Sequence, residues 1–109
     1  MNDNGTKPNL KKWFINYKSH NILVTNWWHW ISFKGSADLY IDDVHYDQNT
    51  DTLPDISKPF LSARSISSEI DTINVYYAGF FTVKISIQIN GENIYQDRLN
   101  FFDKLALKS

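Results

Sequence analysis

Between Phe81 and Ile89 the chain places an apolar side chain at every second position: Phe81, Val83, Ile85, Ile87 and Ile89. Successive side chains of a strand point to opposite faces, so this spacing lines one face of a sheet. A helix would scatter the same residues around its circumference. Asn90-Gly91 follows directly. Both residues tolerate positive φ, which a two-residue type I′ hairpin turn requires twice. The run is therefore expected to be a central strand, returned by a hairpin through Ile94-Tyr95. By Gln96 to Arg98 the returning segment is polar on both faces, as suits an edge.

The same logic reads the rest of the chain as short strands. Trp13, Ile15 and Tyr17 alternate with Phe14 and Asn16, Lys18 to Asn21 supplies a turn, and Ile22 to Thr25 returns. A dense aromatic stretch, Trp27-Trp28-His29-Trp30-Ile31-Ser32-Phe33, follows and is expected to break at Gly35-Ser36. A turn at Asp42-Asp43 would pair Ile41 with Val44 and Leu39 with Tyr46, placing all four on one face. Residues 47–59 hold Pro54 and Pro59 without periodicity and read as the longest loop. Phe60 to Ile66 is a weaker strand, and Ser67 to Asp71 turns the chain. Ile73, Val75 and Tyr77 alternate, with Tyr77 expected opposite Phe81 across Ala78-Gly79-Phe80. At the C-terminus, Asn100 can cap a short helix with Phe102, Leu105 and Ala106 inward, and a terminal strand fits as well. No internal repeat is visible. Residues 1–11 are polar and read as a flexible tail, leaving 12–109 as a single domain.

Composition narrows the function more by exclusion than by assignment. The 109 residues suffice for one core. Eleven basic against twelve acidic residues leave a net charge of −1, without the basic footprint that nucleic acid demands. No apolar run approaches a membrane span of roughly 20 residues. The chain has no Cys, and Met1 to Lys12 lacks the apolar core of a signal peptide, so a cytoplasmic protein is expected.

Few residues fit known chemistry. Asp42, Asp43, Asp47, Asn49 and Asp51 crowd one region, and Asp47-x-Asn49-x-Asp51 has the opening rhythm of a calcium loop. Thr52 stands where that loop needs Gly, and Lys58 where it needs Glu, so an acidic surface turn is expected. His20, His29 and His45 lack ligand spacing. No nucleophile elbow and no phosphate-cradling glycine loop is present. Asn4-Gly5-Thr6 matches a glycosylation sequon, which counts only in a secreted protein. The remaining lead is aromatic. On a strand Trp28 and Trp30 share one face and Trp27 and His29 the other, so one side must meet the core and the other solvent or a partner.

Two segments, Gly35-Ser36-Ala37-Asp38-Leu39-Tyr40-Ile41-Asp42-Asp43 and Thr82-Val83-Lys84-Ile85-Ser86-Ile87-Gln88-Ile89-Asn90-Gly91-Glu92, resemble the β-sandwich unit of the Fas apoptotic inhibitory molecule family. In that unit a strand ending in a Tyr-Val-Asp-Gly-like turn precedes a long strand ending in Ile-Asn-Gly, and small bacterial proteins show a similar layout. The resemblance spans Trp13 to Leu99, with Asp43 in place of the turn Gly and a single unit. It implies a non-enzymatic protein-binding sandwich and carries over no functional residue.

The expected fold is thus an all-β antiparallel sandwich of about seven or eight short strands. The expected function is a non-catalytic protein-interaction module, in an inhibitor, immunity-type or adaptor role. The alternative is a carbohydrate-binding module built on Trp27, Trp28 or Trp30. Candidate binding residues are Trp27, Trp28, His29 and Trp30, with no catalytic residue, metal or cofactor. The expected partners are another protein, or a second copy through an edge strand, and neither nucleic acid nor membrane.

Overall fold

A computed structural model describes residues 9–29, 34–50, 56–77 and 84–97. Across these residues the chain is all-β, with eight strands and no helix. β1 (Asn9–Tyr17), β2 (His20–His29), β3 (Lys34–Ile41) and β4 (Val44–Asn49) form one four-stranded antiparallel sheet in chain order. β5 (Leu61–Arg64), β6 (Thr72–Tyr77), β7 (Ile85–Ile89) and β8 (Glu92–Gln96) form the other. Two antiparallel sheets of this size are the complement a β-sandwich uses. They belong to two compact units, Met1–Leu53 and Pro54–Ser109. No helix among the described residues is long and apolar enough to cross a membrane.

Each sheet buries one face, as the alternation requires. In the first unit Trp13, Ile22, Val24, Ala37, Leu39 and Ile41 are buried, and in the second Leu61, Ile73, Val75, Ile85, Ile87 and Ile89. Each of the larger aliphatic chains contributes about 1.5–3 kcal/mol by leaving water. The run ending at Ile89 is an interior strand over Ile85–Ile89, and β8 closes the order at an edge, both as expected.

Several expectations need correction. β1 begins at Asn9, inside the segment read as a tail. Gly35-Ser36 does not break a strand but lies within β3. Residues 47–49, read as the start of a loop, extend β4, and the β3–β4 pair slips at Leu39/Tyr40. Leu39 therefore faces Asp47, not Tyr46, while Ile41 faces Val44 as anticipated. Tyr46 is the extra residue of a β-bulge, and it and Val44 are exposed at the sheet edge. Phe60 and Ile66 lie outside β5. Tyr77 pairs with Ile85, four residues beyond Phe81. An even slip leaves every side chain on its intended face, which is why the apolar pattern alone did not reveal it. Phe81, Val83, Trp30 and the 98–109 segment lie outside the described residues.

The two units repeat one design, a feature the sequence did not disclose. Each is a four-stranded meander whose third and fourth strands are joined by a two-residue turn with both φ angles positive: Asp42 (52°) and Asp43 (66°) in one, Asn90 (54°) and Gly91 (81°) in the other. Both hairpins pair twice and then slip, at Leu39/Tyr40 and at Ile87/Gln88. Corresponding positions stand 48 residues apart, as Asp42 does from Asn90 and Val44 from Glu92. The first turn residue locks onto the start of the second strand in the same way. Asp42 N–H donates to Asn21 C=O at 2.8 Å, and its Oδ1 accepts Asn21 N–H at 2.9 Å. Asn90 N–H donates to Thr72 C=O at 2.9 Å, and its Oδ1 accepts Thr72 N–H at 3.1 Å and Asp71 N–H at 2.8 Å. Residues 37–43 and 85–91 are thus counterparts of each other.

Candidate functional site

The strand pairings lay out the face of the first sheet opposite its buried side as transverse rows. Phe14 pairs with Leu23, Leu23 with Tyr40, and Tyr40 with His45, so these four form one row across all four strands. Lys12, Thr25, Asp38 and Gln48 form the next, and Leu10, Trp27 and Ser36 the third. Adjacent rows lie about 7 Å apart, the rise of two strand residues. A polar row is therefore flanked by two apolar ones. Phe14 is 62% exposed and Leu10 44%, while Leu23, Trp27 and Tyr40 are half-buried. Apolar side chains left this open are what an interaction surface offers.

The polar row centres on a buried carboxylate. Asp38 Oδ1 accepts hydrogen bonds from Gln48 Nε2 and His45 Nε2, both at 2.9 Å, and Oδ2 accepts from Ser36 Oγ at 3.1 Å. The bulge in β4 makes this possible, because it brings Gln48 opposite Asp38 while His45 stays opposite Tyr40. A carboxylate offers only acceptors, so His45 Nε2 is the donor in this contact. The imidazole side chain is 45% exposed and tilts 42° against the Tyr40 ring at 5.0 Å between centroids. Although Ser, His and Asp meet here, the carboxylate stands between the other two. In a nucleophilic triad the imidazole must bridge hydroxyl and carboxylate, so this order does not activate Ser36.

The aromatic stretch is divided as strand geometry requires. Trp27 and His29 share the outer face with Leu23 and Thr25, and Trp28 shares the inner side with Ile22, Val24 and Asn26. Both tryptophans are half-buried, and among the described residues of the first unit the buried indole is Trp13. Trp27 lies between Leu10 and Ser36, and Trp28 opposite Gly35. A Cβ at Gly35 would stand 2.7 Å from Trp27 C=O and 3.4 Å from Trp28 Cα, so this glycine admits the close approach of β2. To the face of Trp27 the structure adds Phe14, Leu23, Tyr40 and Asp38. Phe14 and Tyr40 were recoverable from the two hairpin registers, whereas the Gln48 contact required the bulge.

The acidic region and the histidines do not converge. Asp47 and Asn49, read as the opening of a calcium loop, lie on strand β4. His20 Nδ1 meets Asp42 Oδ2 at 2.6 Å, His45 meets Asp38, and His29 pairs along the ladder with Lys34. Among the described residues no three His, Cys, Asp or Glu side chains are placed to hold a metal ion.

No protein-family model, curated protein or solved structure matches the chain.

Proposed function

We propose that the outer face of the first unit is a non-catalytic protein-interaction surface, serving an inhibitor, immunity-type or adaptor role in the cytoplasm. The observation that carries this reading is the internal control provided by the second unit. There the row equivalent to Phe14–Leu23–Tyr40–His45 is Ser62–Asn74–Gln88–Asn93. The same meander, turn lock and bulge thus form with four polar residues at these positions. The scaffold does not need apolar side chains there, so their presence in the first unit points to recognition, where exposed aromatics concentrate binding energy. The adjacent outer row of the second unit, Tyr76–Ser86–Gln96, carries a single ring.

A photo-crosslinking residue placed at position 14, with position 62 as control, tests the proposal in the native host. A discrete protein adduct formed from position 14 and not from position 62 is the expected result. Identical patterns from both positions overturn it. A glycan array probed with the same protein tests the carbohydrate alternative. Binding that disappears with Trp27→Ala would move the assignment to that class.

A further inference from the structure

We infer that Asn90 is a deamidation site, closed while its side chain is locked onto residues 69–72, and that its conversion to the acid releases that lock. The inference is independent of the surface on the first unit. Three observations carry it.

The reacting pair is open to water. Asn90 and Gly91 form an exposed two-residue turn. Gly91 sits at φ 81°, and among the described residues a Cβ there would meet nothing within 4 Å. Its backbone nitrogen is thus uncrowded on that side, as cyclisation of an asparagine requires. In that reaction the Gly91 nitrogen gives up its proton and bonds to Asn90 Cγ. The Cγ–Nδ2 bond breaks, and Nδ2 leaves with that proton as ammonia. Water then adds to one of the two carbonyl carbons of the five-membered imide. The C–N bond at that carbon breaks, the hydroxyl stays on carbon and a proton returns to the nitrogen. Opening at Cγ leaves an aspartate, and opening at the main-chain carbonyl leaves an isoaspartate.

The folded turn holds the amide elsewhere. Asn90 Oδ1 accepts from Asp71 N–H at 2.8 Å and from Thr72 N–H at 3.1 Å, and Nδ2 donates to Glu69 C=O at 3.0 Å. All three bonds fix the amide on residues 69–72, whereas cyclisation must swing Cγ onto the Gly91 nitrogen. The lock has to open first, so conversion proceeds only from the opened turn.

The first unit shows why the product does not lock again. The equivalent position there is an acid, Asp42, whose Oδ2 meets His20 Nδ1 at 2.6 Å. Ile22 faces Ile41 as Ile73 faces Ile89, so Asp71 stands where the first unit has His20. An acid at position 90 keeps an acceptor for Thr72 but no longer donates to Glu69 C=O. It also sets a carboxylate next to a second acidic residue where the first unit has an imidazole. Isoaspartate adds a main-chain carbon to the turn that places Ile89 opposite Glu92, which breaks that register.

The test incubates the full chain under native conditions and in guanidinium chloride at one mildly alkaline pH. Mass spectrometry follows conversion at Asn90 in the tryptic peptide 85–98, with Asn4-Gly5 read in a separate peptide. Conversion is expected in both samples, slower by roughly tenfold or more in the folded chain, because only the opened fraction reacts. Equal rates overturn the lock, and no conversion in denaturant overturns the site. Asn90→Asp tests the consequence and is expected to melt several degrees below wild type. Asn90→Asp combined with Asp71→His copies the Asp42–His20 pair and is expected to recover most of that loss. Asn90→Asp as stable as wild type, or no recovery in the combined variant, overturns the release of the lock by deamidation.

Discussion

At the scale of single residues, two ionisable groups report directly on the folded structure. The backbone N–H of Asn21, and after it the His20 side chain, hold the Asp42 carboxyl below its ordinary value of 3.8. A carboxyl depressed in the folded state adds stability above its unfolded pKa, and that stability is lost as pH falls through the folded value. Asp42→Asn keeps an acceptor for Asn21, as Asn90 does in the other unit, but removes the charge. The melting-temperature advantage of wild type over Asp42→Asn should therefore be present at neutral pH and shrink below pH 3.8. A gap independent of pH would show that the charge contributes nothing. Tyr95 has the opposite sign. Its hydroxyl donates to Asp97 Oδ1 at 2.5 Å, and this bond, with partial burial and the neighbouring negative charge, pushes its pKa up to about 12. Stability from the neutral phenol is complete below pH 10 and is lost as pH rises through about 12. Ultraviolet titration at the phenolate band should show one tyrosine ionising late, and Tyr95→Phe should delete that step.

At the scale of elements, turns and close strand contacts set register. Asp43 sits at φ 66° where its counterpart is Gly91 at 81°. A left-handed backbone costs an L-residue roughly 1–2 kcal/mol, offset in part by the entropy that Gly loses on folding. Asp43→Gly should therefore raise stability by up to about 1 kcal/mol, readable as a higher denaturation midpoint with unchanged slope. A lower midpoint would mean that the Asp43 side chain holds the turn by contacts of its own. Gly35 is the reverse case. Adding a Cβ 2.7 Å from Trp27 C=O must push β2 and β3 apart. Gly35→Ala should cost about 1–3 kcal/mol, the usual range for overpacking, and should disturb the Trp27 and Trp28 signals first.

At the scale of the molecule, the two units are one design used twice with different outer faces. Replacing Phe14, Leu23 and Tyr40 by the residues at the equivalent positions, as Phe14→Ser, Leu23→Asn and Tyr40→Gln, transfers the polar row of the second unit to the first. The variant should stay folded, with a stability change within about 1–2 kcal/mol, because surface positions outside the core contribute little. With the crosslinking residue kept at position 14, Leu23→Asn and Tyr40→Gln alone should also lose the partner adduct. Collapse of the variant to an unfolded chain would show that the row belongs to the core of the first unit.

The sequence by itself determined the strands and the faces they bury. The alternation up to Ile89, the Asn90-Gly91 turn and the Asp42-Asp43 turn are local, because a period of two and a positive φ are properties of neighbouring residues. It also separated Trp27 from Trp28, since parity along one strand needs no partner. Tertiary structure decided the rest. The four-residue slip at Tyr77, the bulges at Leu39/Tyr40 and Ile87/Gln88, and the extension of β4 to Asn49 depend on which strand lies opposite. Such pairings are set by the sum of cross-strand contacts and leave no local mark. The repeat was hidden for the same reason. Between 37–43 and 85–91 only Ile41 and Ile89 coincide, while the shared turn lock uses an Asp in one unit and an Asn in the other. An acceptor oxygen at a fixed place is what the fold requires, and two residue types supply it equally. The cluster of Ser36, Asp38, His45 and Gln48 came into being only when pairing and bulge brought three donors onto one carboxylate.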